Sequence, residues 1–133
     1  MRKSLIVIAT AIGLVLAAVA GAHVFVSSPQ LSIAKVPSGS IAPGARIIVY
    51  GRIHSSRSFC KRDRRVRLFR VSPGPDRFLG SDRTDNEGEY RFVRRPRRDQ
   101  TVYTRIGRLV VSSYGHRHAC RADRSRNLRI NVR

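Results

Sequence analysis

The sequence predicts an all-β protein: a seven-strand antiparallel sandwich over residues 46–133, preceded by an N-terminal hydrophobic helix. Three observations carry this reading. Apolar residues recur with a period of two in several short runs. Clusters of Gly, Pro, Asp and Asn separate those runs. Beyond the N-terminus no segment shows helical periodicity. About seven short strands in about a hundred residues suit two packed antiparallel sheets.

Taken in order, the chain opens with a targeting segment. Arg2 and Lys3 precede a run of apolar or small residues at 5–20. Ala18-Val19-Ala20 and Ala20-Gly21-Ala22 place small residues where signal peptidase cuts. Residues 1–22 therefore read as a signal peptide. The apolar run at 5–26 is also long enough to span a bilayer, so an uncleaved membrane anchor stands as the other reading. A short basic flank stays inside the cell, so both readings place the remaining chain outside the cytoplasm, secreted or at the cell surface. Residues 23–45 are rich in Ser, Pro and Gly and read as a tether, with a first strand near 31–36.

The domain begins at Arg46. Ile47, Val49 and Ile53 alternate with Ile48, Tyr50 and Arg52. Val66 and Leu68 alternate with Arg65, Arg67 and Phe69. Residues 78–84 and 89–93 read as two arms of a hairpin. Its turn holds Asp85, Asn86 and Gly88, whose short polar side chains and missing Cβ tolerate tight backbone angles. In the second arm, Tyr90 and Phe92 alternate with Glu89, Arg91 and Val93. Residues 102–111 form a longer run that Gly107 bends. Leu128, Ile130 and Val132 alternate with Asn127, Arg129, Asn131 and Arg133 in the last strand.

Two cysteines, Cys60 and Cys120, lie in loops of a chain bound for an oxidising compartment, which favours a disulfide between them. The net charge is +19, and +17 without Arg2 and Lys3. Of 27 basic residues all but Lys3, Lys35 and Lys61 are arginine. A GC-rich genome explains Arg over Lys but not the small number of acids. Guanidinium forks match phosphate and carboxylate, so an anion-binding surface is the functional reading. Arg65, Arg67, Arg91 and Arg129 all take the phase opposite to core positions and are expected on outer sheet faces, with Arg77, Arg83 and Arg97 in loops and turns. The expected partners are anionic envelope polymers or lipid headgroups. The aromatics are not spaced as a stacking platform, and no nucleic-acid motif is present, so sequence-specific nucleic-acid recognition is not expected.

The ordered set Gly51, Cys60, Arg65-Val66-Arg67-Leu68-Phe69-Arg70, Leu79-Gly80-Ser81-Asp82-Arg83-Thr84-Asp85, Gly88-Glu89-Tyr90, Tyr103, Cys120 and Arg124-Ser125 resembles a family of exported actinobacterial domains. More broadly it is similar to the prealbumin-like (Ig-like) sandwich of transthyretin-like and carboxypeptidase-regulatory-like domains, related to the collagen-adhesin B-type repeat. The resemblance covers about residues 46–132. It implies a stalk, spacer or binding module with no shared catalytic residues, hence no enzyme and no cofactor. The adhesin repeats also join a first-strand Lys to a last-strand Asn; Lys35 and Asn131 occupy such places, but Asn131 takes the polar phase.

His116 and His118, with His54 as a third ligand, form the one candidate metal set, giving a metal-binding secreted protein as the alternative function. Arg105, Arg108, Arg117 and Arg121 oppose a cation there. Intradiol dioxygenases hold iron on a similar sandwich with two Tyr and two His. Tyr103, Tyr114, His116 and His118 lack the Arg-Pro-x-His-x-His context of those enzymes. A secreted nucleic-acid or polyanion binder without sequence preference, acting away from the cell, is the remaining alternative.

Overall fold

The computed structural model describes residues 24–133, so the signal or anchor segment at 1–22 lies outside the described residues. The described chain is built of short strands: β1 (Val24–Ser27), β2 (Gln30–Leu31), β3 (Ala34–Val36), β4 (Ile47–His54), β5 (Arg65–Arg70), β6 (Arg77–Arg83) and β7 (Glu89–Arg94). They continue as β8 (Gln100–Ile106), β9 (Leu109–Ser113), β10 (His116–Cys120), β11 (Asp123–Arg124) and β12 (Leu128–Ile130). One helical turn, α1 (Ser58–Lys61), interrupts them. Among the described residues no helix is long and apolar enough to cross a membrane.

Two sheets face one core. In the first, β4 is central, with β7 antiparallel on one edge and β2 and β3 in succession on the other. The second has β6, β5 and β8 side by side, with β11 and β12 both on the far edge of β8. The period of two explains the filling. Ile47, Val49 and Ile53 of β4, and Val66 and Leu68 of β5, are wholly buried. They meet Tyr90, Phe92, Val102, Ile106, Leu128 and Ile130 between the sheets. Gly51 shares the inward phase of β4. Its missing Cβ leaves the space in which the Tyr90 hydroxyl donates to the Ser32 carbonyl and accepts from Thr104.

Four expectations are corrected. The arms around Asp85, Asn86 and Gly88 are not a hairpin: β6 pairs with β5 and β7 pairs with β4, so the turn crosses between sheets. Asp85 still organises it, accepting the backbone N–H groups of Glu87 and Glu89 through Oδ1. The N–H of Arg91, which a hairpin would give to β6 backbone, goes instead to Asp82 Oδ2 at 2.9 Å. The run at 102–111 is two strands, because the chain breaks at Gly107 and Arg108 and β9 leaves for another sheet.

The segment 23–45 does more than tether. Besides three short strands it supplies Leu31, Ile33 and Ile41 to the core. His116 to Cys120, expected as a loop, is β10. It pairs antiparallel with β9 and parallel with β1 to make a third sheet. Tyr114 (φ 48°) and Gly115 (φ 77°) close the β9–β10 turn with two left-handed residues, the geometry that suits the twist of a two-residue hairpin. The described residues thus hold twelve strands in three sheets where seven strands are expected, the surplus being β1, the division of the first strand near 31–36 into β2 and β3, the split at Gly107, and β10 and β11.

The disulfide is formed. Cys60 of α1 and Cys120 at the end of β10 are bonded with Cα atoms 5.6 Å apart, and both are fully buried. It ties the third sheet to the loop that enters β5.

Candidate anion-binding face

The outer face of the second sheet is built by strand phase. Val66 and Leu68 point inward, so Arg65, Arg67 and Phe69 point outward. The register then lines up what the sequence keeps apart. Arg65 lies opposite Arg83, and Arg67 lies between Ser81 on one side and Arg105 on the other. Arg105 in turn lies opposite Arg124. Directly opposed side chains stand about 5 Å apart. Beyond this row, a cleft of about 670 Å³ opens between the sheet, the loop after α1 and the β8–β9 corner. Arg62 and Arg108 join Arg65, Arg67, Arg83 and Arg105 on its walls, with Asp63 as its one carboxylate.

Arg64 also lines the cleft but is spent on structure. Its guanidinium donates to the carbonyls of Cys60 and Gly107, both at 2.6 Å, and clamps α1 to the β8–β9 corner. Burial lowers its pKa from the ordinary arginine value. Arg83 donates to Asp63 at 3.0 Å, and both side chains are largely exposed, so this pair contributes little stability.

An aromatic row lies beside the arginine row. Phe69 is opposite both Phe78 and Tyr103, with ring centroids 5.7 and 5.5 Å away. Arg105 stands over Phe69 at 6.0 Å and Arg124 over Tyr103 at 3.7 Å. The Tyr103 hydroxyl donates to Asp76 at 2.6 Å; that bond raises the tyrosine pKa and lowers that of the carboxylate.

Few acids neutralise this face: Asp63 pairs with Arg83 and Asp76 lies near Arg124, while the fold uses most of the others elsewhere. Asp82, Asp85, Asp99 and Asp123 accept backbone N–H groups of Arg91, Glu89, Val132 and Leu31. Glu89 is paired with Arg52 and raises its pKa, chiefly through their hydrogen bond. Among the described residues, ion pairs engage Arg52, Arg83 and Arg129 only.

The four arginines singled out from the sequence do not form one patch. Arg65 and Arg67 are adjacent in the face. Arg91 is on β7 in the other sheet, in a separate groove of about 930 Å³ that also holds Asp82, Asp85 and Glu89. Arg129 lies on β12 near Asp99, at the far edge. Arg83, expected in a turn, belongs to the face. Arg105 and Arg124 were missed. The signal for Arg105 is its phase opposite Val102 and Ile106; nothing in the sequence gives the register that brings it to Arg67. The aromatics, scattered along the chain, are likewise gathered on this face by register.

The histidines sit on the third sheet. The ring of Phe25 stacks on His118 with centroids 5.3 Å apart, and Phe59 meets the same imidazole edge-on. His54 lies at the end of β4, opposite Gln30. Among the described residues no group of three His, Cys, Asp or Glu side chains stands where it would share a metal ion. The Lys35 ammonium is held by the carbonyls of Pro37, Ser38 and Gly39, and Asn131 Oδ1 accepts from Arg129.

No family model matches the chain. No curated protein matches it either. The site is therefore read from its own chemistry.

Proposed function

We propose that this chain is a non-enzymatic, exported β-sandwich module that holds anionic polymers of the cell envelope, or anionic lipid headgroups, on the outer face of its second sheet. The observation that carries the reading is the cross-strand row in which Arg67, Arg105 and Arg124 stand side by side, with Arg65 and Arg83 as the next pair along the strands. Physiological salt screens charges over about 8 Å, so only guanidiniums this close act together on one ligand. The buried disulfide is compatible with an extracellular location. We further propose that the two main sheets form the transthyretin-like sandwich that the sequence motifs resemble, with β1, β9 and β10 as an added sheet.

The test is a salt titration of binding. The full-length chain in neutral detergent is applied to heparin and to vesicles with and without anionic lipid. Retention on the anionic supports at about 0.15 M salt, weakening steeply as salt rises, supports the reading. Elution at that salt from every anionic support leaves only a spacer.

A further inference from the structure

The outer face of the second sheet offers more than charge. A register shift between Leu68 and Phe69 breaks the regular pairing with β6, so that Phe69 faces Phe78 rather than Leu79. Bulges re-aim side chains. Here Leu79 packs against the core, while Phe78 joins the outward aromatic row and stays 54% exposed. Phe78 is thus a large ring held open to solvent beside the partly exposed Phe69. The arginine row containing Arg67 and Arg105 runs parallel to it, one two-residue step away, about 7 Å along the strand. A guanidinium stacked on an aromatic ring keeps its in-plane N–H groups free for phosphate. Arg105 Cζ lies 6.0 Å from the Phe69 ring centroid, at the outer reach of such a contact.

From this juxtaposition we infer that the face takes single-stranded nucleic acid, its phosphates on Arg67 and Arg105 and a base stacked on Phe78. The inference rests on the polyanion reading and goes beyond the envelope polymers and lipid headgroups named there. Phosphodiester chains carry a charge and a flat ring in every unit, the two features this face presents in parallel rows. Sugar polymers need acceptors for their hydroxyls, and the two rows offer few: the Ser81 hydroxyl, and Asp76, which Tyr103 already engages. Nothing on the face reads base edges, so binding is indifferent to sequence.

The experiment compares an oligothymidylate of about 16 nucleotides with an abasic strand of equal length, using the oxidised full-length chain in neutral detergent. The expected result is about tenfold tighter binding of the oligothymidylate, from stacking alone. Phe78→Ala is expected to abolish that preference and leave abasic binding unchanged. Phe25→Ala, on the third sheet, is expected to change neither. Paired Arg67→Gln and Arg105→Gln substitutions weaken both strands and lower the salt slope by about 0.7 per lost phosphate contact. Equal affinity of the wild-type chain for the two strands overturns the inference while leaving a polyanion binder, of heparin-like polymers or lipids. Failure to bind either strand, heparin or anionic vesicles overturns both. The wild-type comparison decides the matter even if a variant misfolds.

Discussion

At Gly51 a single absent methyl group decides whether the core closes. A Cβ there would lie 2.0 Å from the Ser32 carbonyl oxygen and 2.5 Å from the Tyr90 hydroxyl, and the backbone oxygen cannot swing away. Gly51→Ala is expected to destabilise the fold by about 3 kcal/mol or more, read from the denaturant midpoint. Gly107→Ala, whose Cβ meets nothing within 4 Å, serves as the mild control. Tyr90 links to the same cavity. Burial pushes its pKa up to about 12, against which the hydrogen bond to Thr104 works only weakly. The folded state therefore keeps a proton that the unfolded chain releases near pH 10. Tyr90's contribution is intact below about pH 10 and is lost as pH rises to about 12, a loss of about 3 kcal/mol. Denaturation curves at about pH 9 and pH 11.5 are expected to show about 2 kcal/mol of that loss, and Tyr90→Phe to show a smaller drop, Tyr103 with its own raised pKa keeping a part. Outward phases such as those of Arg65 and Arg67 were legible because a period of two is local. Their company was not, since register depends on which strands meet.

Among the elements, the turn at Asp85 and Gly88 shows where local reading stops. Its residues announce a reversal, and the chain does reverse. Whether the arms pair is decided by competing edges: β7 finds six partners on β4, and β6 follows β5. The strand β10 was illegible for a related reason. His-Arg-His-Ala-Cys has no apolar alternation, and only pairing with β9 and β1 makes it a strand. The disulfide expected between the two cysteines is present. The Cys60–Cys120 bond spans 60 residues and is worth about 4 kcal/mol in the chain-entropy model. Calorimetry with and without reductant is expected to show the melting temperature falling by roughly 15 to 30 °C on reduction. An unchanged melting temperature after complete reduction would show that core packing alone holds the third sheet.

The whole molecule carries strong positive charge, and its few acids pair with only three arginines among the described residues. Self-repulsion follows, and raising salt from low ionic strength is expected to raise the melting temperature of the free protein. The same imbalance leaves Arg65, Arg67 and Arg105 of the second sheet's outer face without an ion-pair partner among the described residues. Net charge was legible from composition; its concentration on one face was not, because β5, β6, β8 and β11 come from four separated stretches of chain. The most direct measurement compares two triple charge reversals by heparin affinity at physiological salt. One carries Glu at Arg65, Arg67 and Arg105; the other carries Glu at Arg91, Arg97 and Arg133. Both remove the same charge. The first is expected to lose nearly all retention and the second to keep most of it. Equal losses would contradict it, showing that net charge alone binds.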